Sequence, residues 1–168
     1  MPGWLGVSSM DTSKRLPPDR ERCFPQLFAS GYSVTSDEDF LYNCIAWAAG
    51  SEKTQEWWDP FAIGRGYYWP AQLPRSADIQ TFIKLYEIAG GYSPSDTGAL
   101  EPGFEKVALY ADRRGEVTHA ARQTEEGSWT SKLGEWEDIE HKTLEGLCGD
   151  DPAYGTVAQI LKRPRKAL

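Results

Sequence analysis

The segment Asn43-Cys44-Ile45-Ala46-Trp47-Ala48-Ala49-Gly50 restricts the fold more than any other stretch of this chain. Asn is among the best residues for starting a helix, and Gly is the commonest residue just past a helix end. The residues between them are apolar. A helix with one apolar stripe can lie on a surface, but one that is apolar nearly all round must be enclosed. The chain therefore has to wrap a short helix that carries Cys44 at its first turn. The acidic run Asp37-Glu38-Asp39 precedes it. Carboxylates there interact well with the positive end of the helix dipole.

The elements that enclose this helix can be read on both sides of it. Ser76 is placed to cap a second helix over 76–89, in which Ile79, Phe82, Ile83 and Tyr86 recur at helical spacing and Gly90-Gly91 stop the run. Lys106–Ala111, Val117–Gln123 and Ser128–Leu133 are short strand-like segments. Arg113-Arg114-Gly115 and Glu125-Glu126-Gly127 separate them, which predicts an antiparallel meander. Residues 135–149 read as an acidic loop, partly helical. Residues 154–162 read as a last helix with Val157, Ile160 and Leu161 on one face. Residues 1–22 hold Pro2, Pro17 and Pro18 and read as a flexible or loosely docked arm. The expected domain is 23–168. A chain of 168 residues is long enough for one domain with a real core. The expected fold class is α+β, a buried helix carrying Cys44 packed on an antiparallel sheet of three or more strands.

Charge and composition remove several functions. The net charge is -7, whereas a nucleic-acid binder needs a basic stripe to neutralise phosphates. The cluster Lys162, Arg163, Arg165 and Lys166 reads as a solvated helix end and tail, so no nucleic-acid partner is expected. No apolar stretch reaches about 18 residues, so no membrane span is expected either. Met1–Arg20 lacks the apolar segment of a secretory signal. The cysteines are Cys23, Cys44 and Cys148, an odd number without compact spacing, which points away from a disulfide scaffold. A reducing, cytoplasmic location is expected. Delivery by another route, as a toxin or effector, stays open, as does the oligomeric state.

The chemistry-bearing residues follow from position. A thiol at a helix start lies beside free backbone N–H groups, which favour the thiolate. His119 is one of two histidines and lies within the strand 117–123, next to the small Ala120 and Ala121. Imidazole is the natural base for a thiol near neutral pH. If Glu125-Glu126-Gly127 is a three-residue loop, Thr124 pairs with Ser128 and His119 with Leu133. Parity then puts Trp129 and Ser131 on the face of His119, with Ser131 diagonal to it. Ser131 is thus the best placed group to orient the imidazole. Asp138, Glu140 and His141 in the next stretch are the other candidates. An oxyanion would be met by the Cys44 N–H and one more donor, for which Asn43 and Tyr42 are the candidates. Trp57, Trp58, Tyr67, Tyr68 and Trp69, together with Trp129, are the expected substrate-groove residues.

Rival chemistries are weaker. Cys23, Cys44, Cys148, His119 and His141 are potential zinc ligands, but no pair has the usual close spacing, so neither a metal nor another cofactor is expected. Carboxylate pairs for glycoside hydrolysis can be drawn from Glu135, Glu137, Asp138 and Glu140, a run read more simply as a solvated loop.

The motifs Asn43-Cys44-Ile45-Ala46-Trp47-Ala48, Thr118-His119-Ala120-Ala121 and Trp129-Thr130-Ser131-Lys132-Leu133-Gly134 resemble, in kind and order, those of papain-like and NlpC-like cysteine peptidases. They also resemble an uncharacterised bacterial group with Asn-Cys, His-Ala and Ser-Lys-x-Gly motifs. The resemblance covers Tyr42 to Gly134. It implies a papain-like fold with Cys44 as nucleophile, His119 as base and Ser131 in the orienting position, where Asn, Asp, Gln or His is commoner. It implies a hydrolase or acyl transferase that forms a thioester with a peptide or protein substrate, as a protease, amidase or deamidase. A non-catalytic interaction module that keeps the fold is the alternative.

Overall fold

A computed structural model describes residues 14–38, 42–50, 58–61 and 67–166. Trp57 and most of the arm, residues 1–13, lie outside the described residues. The protein is α+β. Among the described residues, seven strands form one antiparallel sheet in the order β1-β6-β5-β4-β3-β7-β2. They are β1 (Tyr32–Ser36), β2 (Ser93–Ser95), β3 (Phe104–Ala111), β4 (Val117–Gln123), β5 (Trp129–Lys132), β6 (Asp138–His141) and β7 (Thr156–Pro164). The helices are α1 (Pro18–Glu21), α2 (Leu27–Ser30), α3 (Cys44–Ala48) and α4 (Ile79–Gly90).

The sheet has a core on each face. Val107 and Leu109 of β3, Ala120 of β4 and Leu161 of β7 point to one side, where α3 and α4 cover them with Ile45, Ala48, Phe82 and Tyr86. Ala108, Tyr110, Ala121 and Ile139 point to the other side, against Leu16, Phe24, Leu27 and Leu147. Alternation along β3 thus feeds two layers, which is why nearly every residue of that strand is buried. The predicted buried helix is α3, capped by the Asn43 side chain, which accepts from the Ala46 N–H.

Four sequence expectations are corrected. The 154–162 stretch is strand β7, not a helix. It pairs along its length with β3 and at Lys162–Ile160 with β2, so sheet pairing outweighs the helical spacing of its apolar residues. The acidic 135–149 stretch contains β6, which pairs with both β1 and β5. Asp78, not Ser76, caps α4 by accepting from the Thr81 N–H, while the Ser76 hydroxyl donates to Asp78. The basic cluster is no solvated helix end either. Lys162 pairs with Glu101, while Arg163 and Arg165 converge on the buried Glu105. Leu16, within the expected arm, is buried in the second core, and Lys14 accepts from the Val34 N–H.

Gly155 is demanded by its surroundings. Its φ is +82°, and a Cβ there would stand 2.1 Å from the Ala111 carbonyl oxygen. Gly103 has the same φ of +82° but open space around it. Gly103→Ala is expected to carry only the left-handed backbone cost, about 1–2 kcal/mol. Gly155→Ala should lose clearly more, because the backbone must also move. Urea denaturation of both variants checks this, and equal losses would contradict the close approach.

Candidate active site

The site begins where a ladder stops. Strands β4 and β5 are joined by the hairpin read from the sequence. Thr124 N–H donates to Ser128, Gly127 takes the left-handed turn position at φ +95°, and Gln123 pairs with Trp129. The ladder reaches Arg122–Thr130 and goes no further. Continued, it would set Ala120 opposite Lys132 and His119 opposite Leu133, but no pair forms there. Helix α3 packs against both strands at this point. The strands part, and the first turn of a capped helix stands at the parting.

Cys44 is 9% exposed at that position. Burial pushes its thiol up to about 11, from an ordinary 9.0. Hydrogen bonding from the Ala120, Ile45 and Cys44 backbone works against this, as does the positive charge of Lys132. The strand-side N–H of Ala120, left without a ladder partner, is therefore directed at the sulfur. A charge at Cys44 raises the phenols of both Tyr86 and Tyr154, although burial is the larger cause for each. Tyr86 belongs to the α3–α4 layer, whereas Tyr154 stacks on His119. Cys44 itself belongs to the α3–α4 core.

His119 is fully buried on the face of β4 that looks toward Tyr110. Tyr154 lies parallel to its ring, with centroids 4.1 Å apart and planes 2° from parallel. Tyr154 is in turn fixed by its carbonyl, which accepts from the Thr118 hydroxyl at 2.6 Å. His119 Nε2 and the Ser131 hydroxyl are 2.9 Å apart. Ser131 and His141 Nε2 are 2.8 Å apart, and His141 Nδ1 donates to the Thr143 carbonyl at 2.8 Å. His119 Nδ1 is buried and has no hydrogen-bond partner among the described residues, so no bond joins it to Cys44. Burial, with a smaller effect from His141, holds His119 well below its ordinary 6.5. Burial lowers His141 to about 4, against the Thr143 carbonyl.

Among the candidate orienting groups, Ser131 is the one bonded to His119. Asp138 instead accepts from Ser36 and from Tyr42 at 2.8 Å, and Glu140 accepts from Ser128. Tyr42 therefore holds Asp138, and it stacks on Trp47. Asn43 is engaged as a cap and a tie to the next segment. Its amide donates to the Trp58 carbonyl and accepts from the Trp58 N–H. Of the expected groove aromatics, Trp58 lines the cavity beside Cys44. Tyr68 packs on Trp58, Trp69 packs on Phe82, and Tyr67 is half-buried. Trp129 is not a groove residue, since it is 4% exposed within the second core. The cavity measures about 240 Å³, and its walls include Phe61, Phe82, Val117 and Gly134.

Tyr154 and the Ala120 N–H carry no mark in the sequence. Only the register of the hairpin, extended past its last pair, points to Ala120. Residues 33–162 match the model of DUF7689, a domain of unknown function. The chain belongs to that family. No curated protein and no solved structure matches it. The DUF7689 match contains the whole constellation, from Cys44 through His119 and Ser131 to His141.

Both buried histidines tie stability to pH. In the unfolded chain they take protons near 6.5, but the folded protein resists until about 4 at His141 and well below 6.5 at His119. Between those values the unfolded state binds more protons, so stability falls on acidification. The contribution is complete above 6.5 and is lost as the pH drops toward 4. For His141 alone it is of order 3 kcal/mol. Denaturation midpoints at pH 7.5 and 5 should differ by less in His141→Gln than in the native chain. An equal difference in both would contradict a neutral His141.

Proposed function

We propose that this chain is a papain-like cysteine hydrolase or acyl transferase that attacks an amide or peptide bond through a thioester on Cys44. One observation carries the reading. His119 spends one ring nitrogen on Ser131 and keeps the other, Nδ1, buried and unpartnered, on the strand whose next N–H meets the Cys44 sulfur. A buried polar nitrogen with no partner is costly and calls for a reason. In this reading the unpartnered nitrogen is kept for the proton of Cys44, which lies on the α3 side of the sheet.

The steps follow general thiol chemistry. With a substrate carbonyl in the cavity, the Cys44 proton passes to His119 Nδ1 and the sulfur bonds to the carbonyl carbon. The carbonyl oxygen gains the negative charge and is met by backbone N–H groups at the start of α3. The tetrahedral adduct collapses, the imidazolium gives its proton to the leaving amine, and the C–N bond breaks. Water, or an acceptor amine in a transfer reaction, then adds to the thioester with His119 as base. It releases the acid or new amide and returns the thiol. The free protein rests with a neutral thiol and a neutral imidazole, because burial raises one and lowers the other. Ionisation is therefore coupled to substrate binding. The apolar cavity walls favour an apolar side chain next to the attacked carbonyl.

A non-catalytic interaction module is the second reading. The buried, protonated thiol and the lack of a bond to His119 favour it. A peptidyl electrophile with an apolar side chain separates the two. Under the enzyme reading it modifies Cys44 ahead of Cys23 and Cys148, and His119→Ala slows this by about 100-fold or more. Modification of the three thiols at similar rates, or a rate indifferent to His119, would sink the enzyme reading. Phe61 is 62% exposed, so Phe61→Ala leaves the fold intact. It should weaken saturation by the probe several-fold without changing the rate at saturation.

A further inference from the structure

We propose that His141 is a positioning residue which, through Ser131 and the Thr143 carbonyl, sets which nitrogen of His119 carries the proton. This rests on the thiol reading of the site. Serine is a weak orienting group. An Asp carboxylate only accepts hydrogen bonds, so it forces a donor upon the imidazole that faces it. A serine hydroxyl both donates and accepts. Alone, Ser131 would satisfy His119 equally well in two ways. It could accept from Nε2–H, leaving Nδ1 bare, or donate to a bare Nε2, leaving the proton on Nδ1. Only the first form has a base to offer the thiol.

The remaining bonds remove the choice. The Thr143 carbonyl can only accept, so the His141 nitrogen 2.8 Å from it, Nδ1, carries a proton. His141 is neutral, so its Nε2 is bare and must accept. The hydroxyl 2.8 Å away, that of Ser131, is the donor. Its proton being committed, the Ser131 oxygen accepts from His119 Nε2–H at 2.9 Å. His119 Nδ1 is left bare, and it is the atom that is buried with no partner. A fixed carbonyl thus dictates the direction of each bond in the series. When His119 takes the thiol proton, Nε2–H still donates to Ser131, so nothing in the series has to turn.

The geometry is locked by packing. His141 is fully buried and pairs with Trp129 on β5 and Tyr32 on β1. Ser131 pairs with Ile139. The Gly146 N–H donates to the Thr143 hydroxyl, which pins the turn that presents the carbonyl.

Long-range proton–nitrogen NMR of the imidazole rings at pH 7.5 reads this directly in the native chain. The result expected is His141 with its proton on Nδ1 and His119 with its proton on Nε2, each as a single form. A His119 proton on Nδ1, or a mixture of forms, would overturn the proposal. In His141→Leu the acceptor for Ser131 is gone, so His119 should become a mixture. Cys44 modification by the peptidyl electrophile should then slow about two-fold at unchanged saturation, as the share of His119 with a bare Nδ1 falls to about half. A pure Nε2–H form in that variant would also overturn the proposal. The native spectrum needs no variant to fold and no activity. If His119 shows the expected form while Cys44 ignores the electrophile, the thiol reading fails and the positioning role of His141 stands.

Discussion

The structure depends on one interrupted ladder. Between β4 and β5 the hydrogen bonds run from the hairpin to Arg122–Thr130 and then cease. Had they continued, the Ala120 N–H would be spent on β5. Because they do not, the first turn of α3 stands against both strands, and the sulfur it carries meets the freed N–H. The two cores on either face of the sheet hold this opening in shape. Tyr86 anchors one side by donating to the Ile45 carbonyl at 2.7 Å, and Tyr154 closes the other over His119.

Two electrostatic effects oppose each other there. Burial disfavours charge on both Cys44 and His119, while N–H donors and Lys132 favour the thiolate. Burial wins in the free protein. The free site therefore holds no standing thiolate–imidazolium pair. Under the proposed reading the orientation of His119 is decisive, and a series of three hydrogen bonds together with the stacked Tyr154 ring fixes it.

Part of this was legible in the sequence. Helix α3 could be read because its caps and its apolar filling agree. The hairpin could be read because Gly127 fixes the loop, and loop length then fixed parity, which brought Ser131 to the face of His119. Strand β7 was hidden because Val157, Ile160 and Leu161 are spaced for a helix as well as for a strand, and only its pairing with β3 decides. Strand β6 was hidden inside an acidic run because the burial of Asp138 depends on Ser36 and Tyr42, about a hundred residues earlier. The parting of β4 from β5 has no local signature, since it is set by a helix from elsewhere in the chain. Tyr154 is a lone aromatic whose position depends on Gly155 passing close to Ala111.

A crystal structure of the adduct with a peptide aldehyde would show whether Cys44 and His119 act together. The expected result is a bond from Cys44 Sγ to the aldehyde carbon, His119 Nδ1 within hydrogen-bond distance of the adduct, about 3 Å, and the His119–Ser131–His141 bonds unchanged. An adduct on Cys23 or Cys148, or a Cys44 adduct with His119 turned away from Ser131, would contradict it.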